Sequence, residues 1–267
     1  MTAIRVAFFN IVFYAVTFVW AMYIAGACLI VSGDSIRAKI ARWCRWTQWW
    51  TRTALGAKIE IRGRENLPDG PFIIAPKHQS ELDVAVIFGL HSDCGAVVMK
   101  ELGDLPFLGA LIRKLDLITV SVEGGPQGMT DMIKAGAAKV AGQGRPILIY
   151  PEGELMALGA RERYKSGVYH MHVASGLPVI PVAQSLGAIW PKREWMKKPG
   201  RTGAIEYLPA MPEGLDKDAF LAELEERIEN GAMALIREHA TGEELALAED
   251  RFAKKANNAG VPKDEAA

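Results

Sequence analysis

An α/β fold with a mostly parallel, mixed sheet flanked by helices is predicted by three features of the sequence. Short runs rich in Val and Ile alternate with helical segments from Ala57 onward. Gly, Pro or charged residues bound these runs, as they bound buried strands. The residues with chemical potential sit just past the ends of such runs, where open α/β sheets place their sites.

Two helices precede that domain. From Val6 to Gly33 no residue is charged. A run of roughly 20 apolar residues suffices to cross a bilayer core as a helix. Ala25-Gly26-Ala27 resembles a signal-peptide cleavage site. However, Arg5 alone forms the basic flank, and the apolar run continues through Leu29-Ile30-Val31, so a retained anchor is the expectation. Ser35 to Leu55 differs in kind. Ile36, Ile40, Trp43 and Trp50 recur at helical spacing, with Trp46 and Trp49 close by. Arg37, Lys39, Arg42, Arg45 and Arg52 fall mostly between them. Tryptophan at headgroup level with cations toward anionic lipid marks an interfacial amphipathic helix. If the first helix spans the bilayer, this basic flank places the α/β domain on the cytoplasmic side of the inner membrane.

Expected strands are Lys58–Arg62, Phe72–Ala75, Ala96–Met99, Leu117–Val122, Ile147–Tyr150, Val179–Ala183 and Ala204–Leu208. Expected helices are Leu82–Leu90, Phe107–Leu115, Gly128–Ala141 and Ser166–Ala174, then a long one over Lys217–His239 with Asp216 as N-cap. The chain thus divides into membrane-anchoring helices at 1–56, an α/β domain at 57–240 and a polar, mobile tail at 241–267.

Composition narrows the function. Lys plus Arg equals Asp plus Glu, at 31 each, so nothing points to nucleic acid as a partner. Three cysteines outside any CxxC array indicate neither a disulfide scaffold nor a zinc site. His170 and His172 are expected on a helix, where residues two apart face different ways, so no metal site is expected. His91 and His239 have no partner visible in the sequence and are expected at the surface. No GxSxG elbow of a serine hydrolase occurs.

The stretch with most chemical content is Pro76-Lys77-His78-Gln79-Ser80-Glu81-Leu82-Asp83. Five residues along a helix is a rotation of about 140°, so His78 and Asp83 meet only if His78 lies in the loop and Asp83 in the first helical turn. Pro76 and the potential N-cap Ser80 allow that arrangement. An imidazole held by a carboxylate is oriented, fixed in one tautomer and able to take a proton from a hydroxyl. The same spacing equally fits a capping box in which Asp83 serves the helix alone. A second acidic residue, Glu152, follows the run Ile147–Tyr150 and precedes Gly153. It too falls at the carboxyl edge of the sheet.

These stretches, in this order from about Trp43 to Ile228, resemble the 1-acylglycerol-3-phosphate (lysophosphatidate) acyltransferases, which carry an HxxxxD motif. His78 and Asp83 match that motif. Lys100-Glu101-Leu102 with Pro106-Phe107-Leu108-Gly109 matches the approach to the second family motif. Tyr150-Pro151-Glu152-Gly153 matches the start of the third, and Leu177-Pro178-Val179-Ile180-Pro181-Val182-Ala183 the fourth. The resemblance implies catalysis by His78 and Asp83 and substrate binding by Glu152, Gly153 and Lys100. It implies transfer of an acyl group from acyl-CoA or acyl carrier protein to a lysolipid hydroxyl at a membrane, in phospholipid biosynthesis. The resemblance further implies that neither metal nor cofactor takes part. An N-terminal two-helix membrane motif and an acyl-chain tunnel are also implied.

Two family arginines are absent. Their aligned positions hold Val122 and Leu155, with Ser121 and Glu154 beside them. Neither replacement can make the bidentate contact of an arginine with phosphate. A lysolipid with a zwitterionic or amino headgroup is therefore a second expectation. Another is that different cations (Lys100, Arg113, Lys114, Arg161, Arg163 or Lys165) meet the phosphate. A non-catalytic lipid-binding relative is the remaining alternative.

Overall fold

The computed structural model of the protein describes residues 2–104, 108–121, 123 and 125–258. Among them seven strands form one sheet: β1 (Lys58–Arg62), β2 (Ile73–Pro76), β3 (Gly95–Met99), β4 (Ile118–Val120), β5 (Ile147–Leu148), β6 (Val179–Gln184) and β7 (Thr202–Tyr207). Their order is β1-β7-β6-β2-β5-β3-β4. Neighbouring strands are parallel except β6 and β7, which run antiparallel. The sheet is therefore mixed and mostly parallel, as expected.

β2 occupies the centre, and all four of its residues are buried. Its parallel neighbours β5 and β6 are buried throughout. This double-sided burial explains their continuous apolar sequences. β5 is shorter than expected. The chain leaves the ladder after Leu148 and turns at Pro151, which has no N–H to donate.

The helices are α1 (Thr2–Ala27), α2 (Gly33–Leu55), α3 (Glu81–Leu90), α4 (Leu108–Leu115), α5 (Gly125–Gly142), α6 (Gly167–Ser175), α7 (Lys217–His239) and α8 (Glu243–Asn258). Ser32 caps α2 at its start, and Gly56, with φ 63°, ends it in the left-handed region. Asp216 caps α7 as expected, accepting from the amides of Asp218 and Ala219.

α1 and α2 do not form a separate anchor. Val6, Phe9, Phe13 and Leu55 belong to the same buried core as Ile74 of β2 and Val182 of β6. Trp190 packs edge-to-face with Phe9 and Phe13, at centroid distances of 5.6 and 5.1 Å. The Asn10 amide donates to the Trp195 carbonyl at 2.9 Å, and the Arg5 guanidinium to the Ala54 carbonyl. At its other end α1 buries Ile24 and Ala27 in a cluster with Ile36 of α2 and Leu115 of α4.

The stretch from Thr241 is corrected in the same way. Residues 243 to 258 form α8, and Ala248 is fully buried against Leu158, Ala188 and Met233. Gly159, with φ 73°, allows the approach, since a Cβ there would stand 2.0 Å from the Ala248 carbonyl oxygen. The mobility expected of the last residues falls on 259–267, outside the described residues, as do Pro106, Phe107 and Val122.

Candidate active site

Three parallel strands end side by side, and each delivers side chains to one place. β2 runs into Lys77 and His78, β5 into Tyr150 and Glu152, and β6 ends on Gln184. Ser80 then caps α3. Its hydroxyl accepts from the Leu82 amide while the Asp83 carboxylate accepts from the Ser80 amide, a capping box. The first turn of α3 thereby turns Asp83 back over the preceding loop.

The cap and the dyad are one structure. Asp83 Oδ2 lies 3.0 Å from His78 Nδ1. The same oxygen accepts from the Gln79 amide at 3.1 Å, the Ser80 amide at 3.2 Å and Gln184 Nε2 at 2.5 Å. Asp83 Oδ1 accepts from the Tyr150 hydroxyl at 3.0 Å. Asp83 is fully buried. Every other group at Oδ2 is a donor, so Oδ2 faces Nδ1 as an acceptor. The imidazole then carries its proton on Nδ1 and leaves the Nε2 lone pair free. The ring stacks on Tyr150 at a centroid distance of 3.9 Å. The His78 side chain is 19% exposed, so the imidazole is both fixed and reachable.

Behind the dyad lies a buried charge cluster. Lys77 Nζ donates to Glu152 Oε1 at 2.5 Å, Glu229 Oε1 at 2.7 Å and the Ala160 carbonyl at 2.7 Å, using all three of its protons. Glu152 Oε2 accepts from the His78 amide at 2.9 Å. The Tyr164 hydroxyl donates to Glu229 at 3.1 Å. Two carboxylates share one ammonium. Burial pushes the Glu152 carboxyl up to about 7, Lys77 offsets part of that rise, and Glu229 adds to it. Burial, with Asp83 alongside, raises the Tyr150 phenol well above its usual range, and burial with Glu229 does the same to Tyr164. Both therefore remain donors.

The expected site residues separate into two groups. His78 and Asp83 are brought together. Glu152 is fully buried with both oxygens engaged, which corrects the expectation that it touches substrate: it holds the His78 backbone. Gly153 is exposed with φ 72°, and a Cβ there would stand 2.5 Å from Lys165 Nζ, so the lysine chain lies across the glycine. Lys100 lies on a short turn and pairs with Glu123 at 3.3 Å. No hydrogen bond or ion pair among the described residues joins it to the dyad. Of the six candidate cations, Lys114 donates to the Val31 carbonyl, and Arg161 lies by Glu225 and Glu229. Lys165 and Arg113 have no anionic partner among the described residues.

Of the remaining histidines, His91 and His239 differ from the expected surface placement, while His170 and His172 lie on a helix as expected. His91 is partly buried against Tyr207, whose hydroxyl is 2.8 Å from its Nε2, and burial lowers its pKa to about 4. His239 lies 2.8 Å from the Ser185 hydroxyl. His170 and His172 lie on α6, where His172 stacks on Phe220.

Sequence reasoning passed over Lys77, Tyr150, Gln184 and Glu229. Two left a signal. Lys77 is a cation directly after a buried apolar run, and Glu229 interrupts the buried stripe Leu224, Ile228, Ala232 and Leu235 of α7.

An imidazole oriented by a buried carboxylate at the carboxyl edge of a central strand has the geometry to accept a proton from a hydroxyl. Comparisons with known proteins place the chain in a family. The family model Acyltransferase matches residues 58–185. A 1-acyl-sn-glycerol-3-phosphate acyltransferase of Pseudomonas aeruginosa is 32% identical over 230 residues, covering 85% of this chain and 88% of that one. The human 1-acyl-sn-glycerol-3-phosphate acyltransferase alpha is 25% identical over 201 residues, covering 70% and 66%. In fold, the crystal structure of the 1-acyl-sn-glycerophosphate acyltransferase PlsC from Thermotoga maritima matches with a TM-score of 0.69 at 21% identity, over 88% of this chain and 98% of that one. The chain belongs to the acyltransferase family, as an O-acyltransferase of the 1-acylglycerol-3-phosphate acyltransferase kind.

Proposed function

We propose that the protein acylates the free hydroxyl of 1-acylglycerol-3-phosphate at a membrane surface, with acyl-CoA or acyl carrier protein as donor. The observation that carries this reading is the free Nε2 of His78, backed by a buried carboxylate on Nδ1. Nε2 takes the hydroxyl proton as the oxygen attacks the thioester carbonyl. Collapse of the tetrahedral intermediate breaks the C–S bond, and the imidazolium returns the proton to the leaving thiolate. The step as proposed uses neither metal nor covalent enzyme intermediate.

Membrane attachment is part of the proposal. α1 is long and apolar enough to cross a bilayer. Yet its two ends lie against different parts of the catalytic domain, the Trp190–Trp195 loop and α4. A helix held along its length cannot stand upright in a bilayer without leaving those contacts. Its outer face carries Ile4, Phe8, Ile11, Phe18 and Met22, all exposed. On α2 the exposed stripe is Arg42, Arg45, Trp49 and Arg52. Lying flat in the cytoplasmic leaflet of the inner membrane satisfies both faces.

Leu155 and Glu154 favour a second reading, a lysolipid acceptor without a phosphomonoester. Lys165, lying over Gly153 with no anionic partner among the described residues, favours the first. An acceptor panel with labelled acyl-CoA and acyl carrier protein decides between them. Turnover of lysophosphatidate, lost in His78→Ala, is the expected result. Undiminished turnover in His78→Ala would sink the mechanism, and turnover of other lysolipids alone would favour the second reading.

A further inference from the structure

Next along the chain from His78, Gln79 borders a cleft of about 200 Å³ that the acyltransfer chemistry so far leaves unused. Leu158, Gly187 and Pro191 bound it, with the cations Lys192, Lys198 and Arg251. Gly187 stands in the turn after β6, and Arg251 comes from α8.

Two observations point to a ligand here. First, Gln79 is 1% exposed, and neither its Nε2 nor its Oε1 has a hydrogen-bond partner among the described residues. A buried side-chain amide left unpaired on both atoms is costly and uncommon. Its neighbours Lys77, His78, Ser80 and Asp83 are all engaged. Second, the charges do not balance. Glu244 is taken by Lys198 at 2.5 Å and Arg201 at 2.8 Å. Arg251 donates to the Leu158 carbonyl at 3.2 Å and meets no carboxylate among the described residues, and neither does Lys192. Glu194 is the one other acid on the cleft. The site thus offers one amide that both donates and accepts, and two cations without an ion-pair partner among the described residues, against the single carboxylate of Glu194.

We propose that this cleft holds the 4′-phosphopantetheine arm of the thioester donor, Gln79 pairing with an amide of the arm and Lys192 with Arg251 holding its phosphate. The arm is a chain of amides between a thiol and a phosphate, so its polar groups occur in the order the cleft needs. Its thiol end must lie beside His78 for attack on the acyl carbonyl, and Gln79 is the next residue. Coenzyme A and acyl carrier protein share this arm and differ beyond the phosphate, one continuing into a nucleotide and the other into an acidic protein. The proposal rests on the acyltransfer reading and assigns the donor a place in it.

The test separates the two. Pantetheine 4′-phosphate, coenzyme A and phosphopantetheinylated carrier protein, all unacylated, are titrated calorimetrically into the full chain in detergent micelles. Binding of the arm by the native protein, weakened about tenfold or more in Lys192→Ala/Arg251→Ala, is the expected result. In turnover, the same variant raises KM for the donor by about tenfold while KM for the lysolipid and kcat stay within about twofold. Gln79→Met is expected to weaken all three probes alike. The Lys192/Arg251 pair, partly buried and exposed respectively, carries the test should the buried Gln79 substitution fail to fold. Tighter binding of coenzyme A than of the bare arm names the nucleotide source, and tighter, salt-sensitive binding of carrier protein names the other. No binding of any probe, or binding unchanged in the double variant, overturns the proposal and leaves a solvent-filled cleft. A rise in lysolipid KM instead overturns it in favour of an acceptor subsite. Loss of the parent reading shows separately, as absence of turnover with every acceptor.

Discussion

At the scale of residues, Asp83 does two jobs with one carboxylate. It closes the capping box of α3 and fixes the tautomer of His78. The sequence allowed either job, and five-residue spacing could not show that both fit, because the answer depends on where the chain leaves β2. Asp83→Asn keeps the shape but can present N–H to Nδ1, favouring the wrong tautomer. We expect kcat to fall by about 10²–10⁴-fold, measured at saturating lysolipid. Tyr150→Phe keeps the stack on His78 and removes one donor to Asp83, so a loss nearer tenfold is expected, about 1.4 kcal/mol. Glu152 supplies a pH prediction. Its carboxyl is raised in the fold from an ordinary 4.5 to about 7. Between those values the folded chain holds a proton that the unfolded chain releases. Its contribution to stability is full below 4.5 and is lost as pH rises to about 7. The span is worth on the order of 3 kcal/mol. Urea unfolding at a series of pH values should show this decline, and Glu152→Gln should remove it. An unchanged slope in the variant would assign the dependence to another group.

At the scale of elements, the periodicities were legible and the partners were not. Every expected strand and helix is present within a few residues, because doubly buried strands and capped helices write their burial into composition. Lys77 was missed because pairing with Glu229 bridges 152 residues of chain, and no local pattern marks it beyond the breach in the apolar stripe of α7. The stretch after Thr241 reads as a tail because its apolar residues are few, yet Ala248 and Phe252 suffice to dock α8 beside Leu158. The outer faces of α1 and α2 carry the elemental prediction. Arg42 and Arg45 point outward without partners among the described residues. Arg42→Glu/Arg45→Glu should weaken binding to anionic vesicles by about 1 kcal/mol or more per site, with little effect on neutral vesicles. Sedimentation with both lipid types measures this. Equal loss on both would point instead to disturbed folding.

At the scale of the whole molecule, α1 belongs to the core of the catalytic domain. A removable anchor leaves a folded enzyme behind when it is cut away. Here the cut would strip Val6, Phe9 and Phe13 from a cluster that also holds β2, β6 and Trp190. Full burial of a large apolar side chain is worth about 1.5–3 kcal/mol, and a domain has only about 5–15 kcal/mol in hand. The loss also reaches the site. Trp190, on which α1 rests, accepts through its carbonyl at 2.7 Å from the hydroxyl of Ser80, the residue that caps α3 and sets Asp83 against His78. A chain beginning at Gly33 is therefore expected to aggregate or unfold in detergent and to lose acyltransfer. By contrast, Phe8→Ser/Ile11→Ser/Phe18→Ser on the outer face should keep the thermal midpoint within a few degrees while releasing the protein from vesicles. Thermal unfolding of the two side by side distinguishes a structural helix that also meets lipid from a leash that meets lipid alone. A stable, active chain beginning at Gly33 would establish the leash.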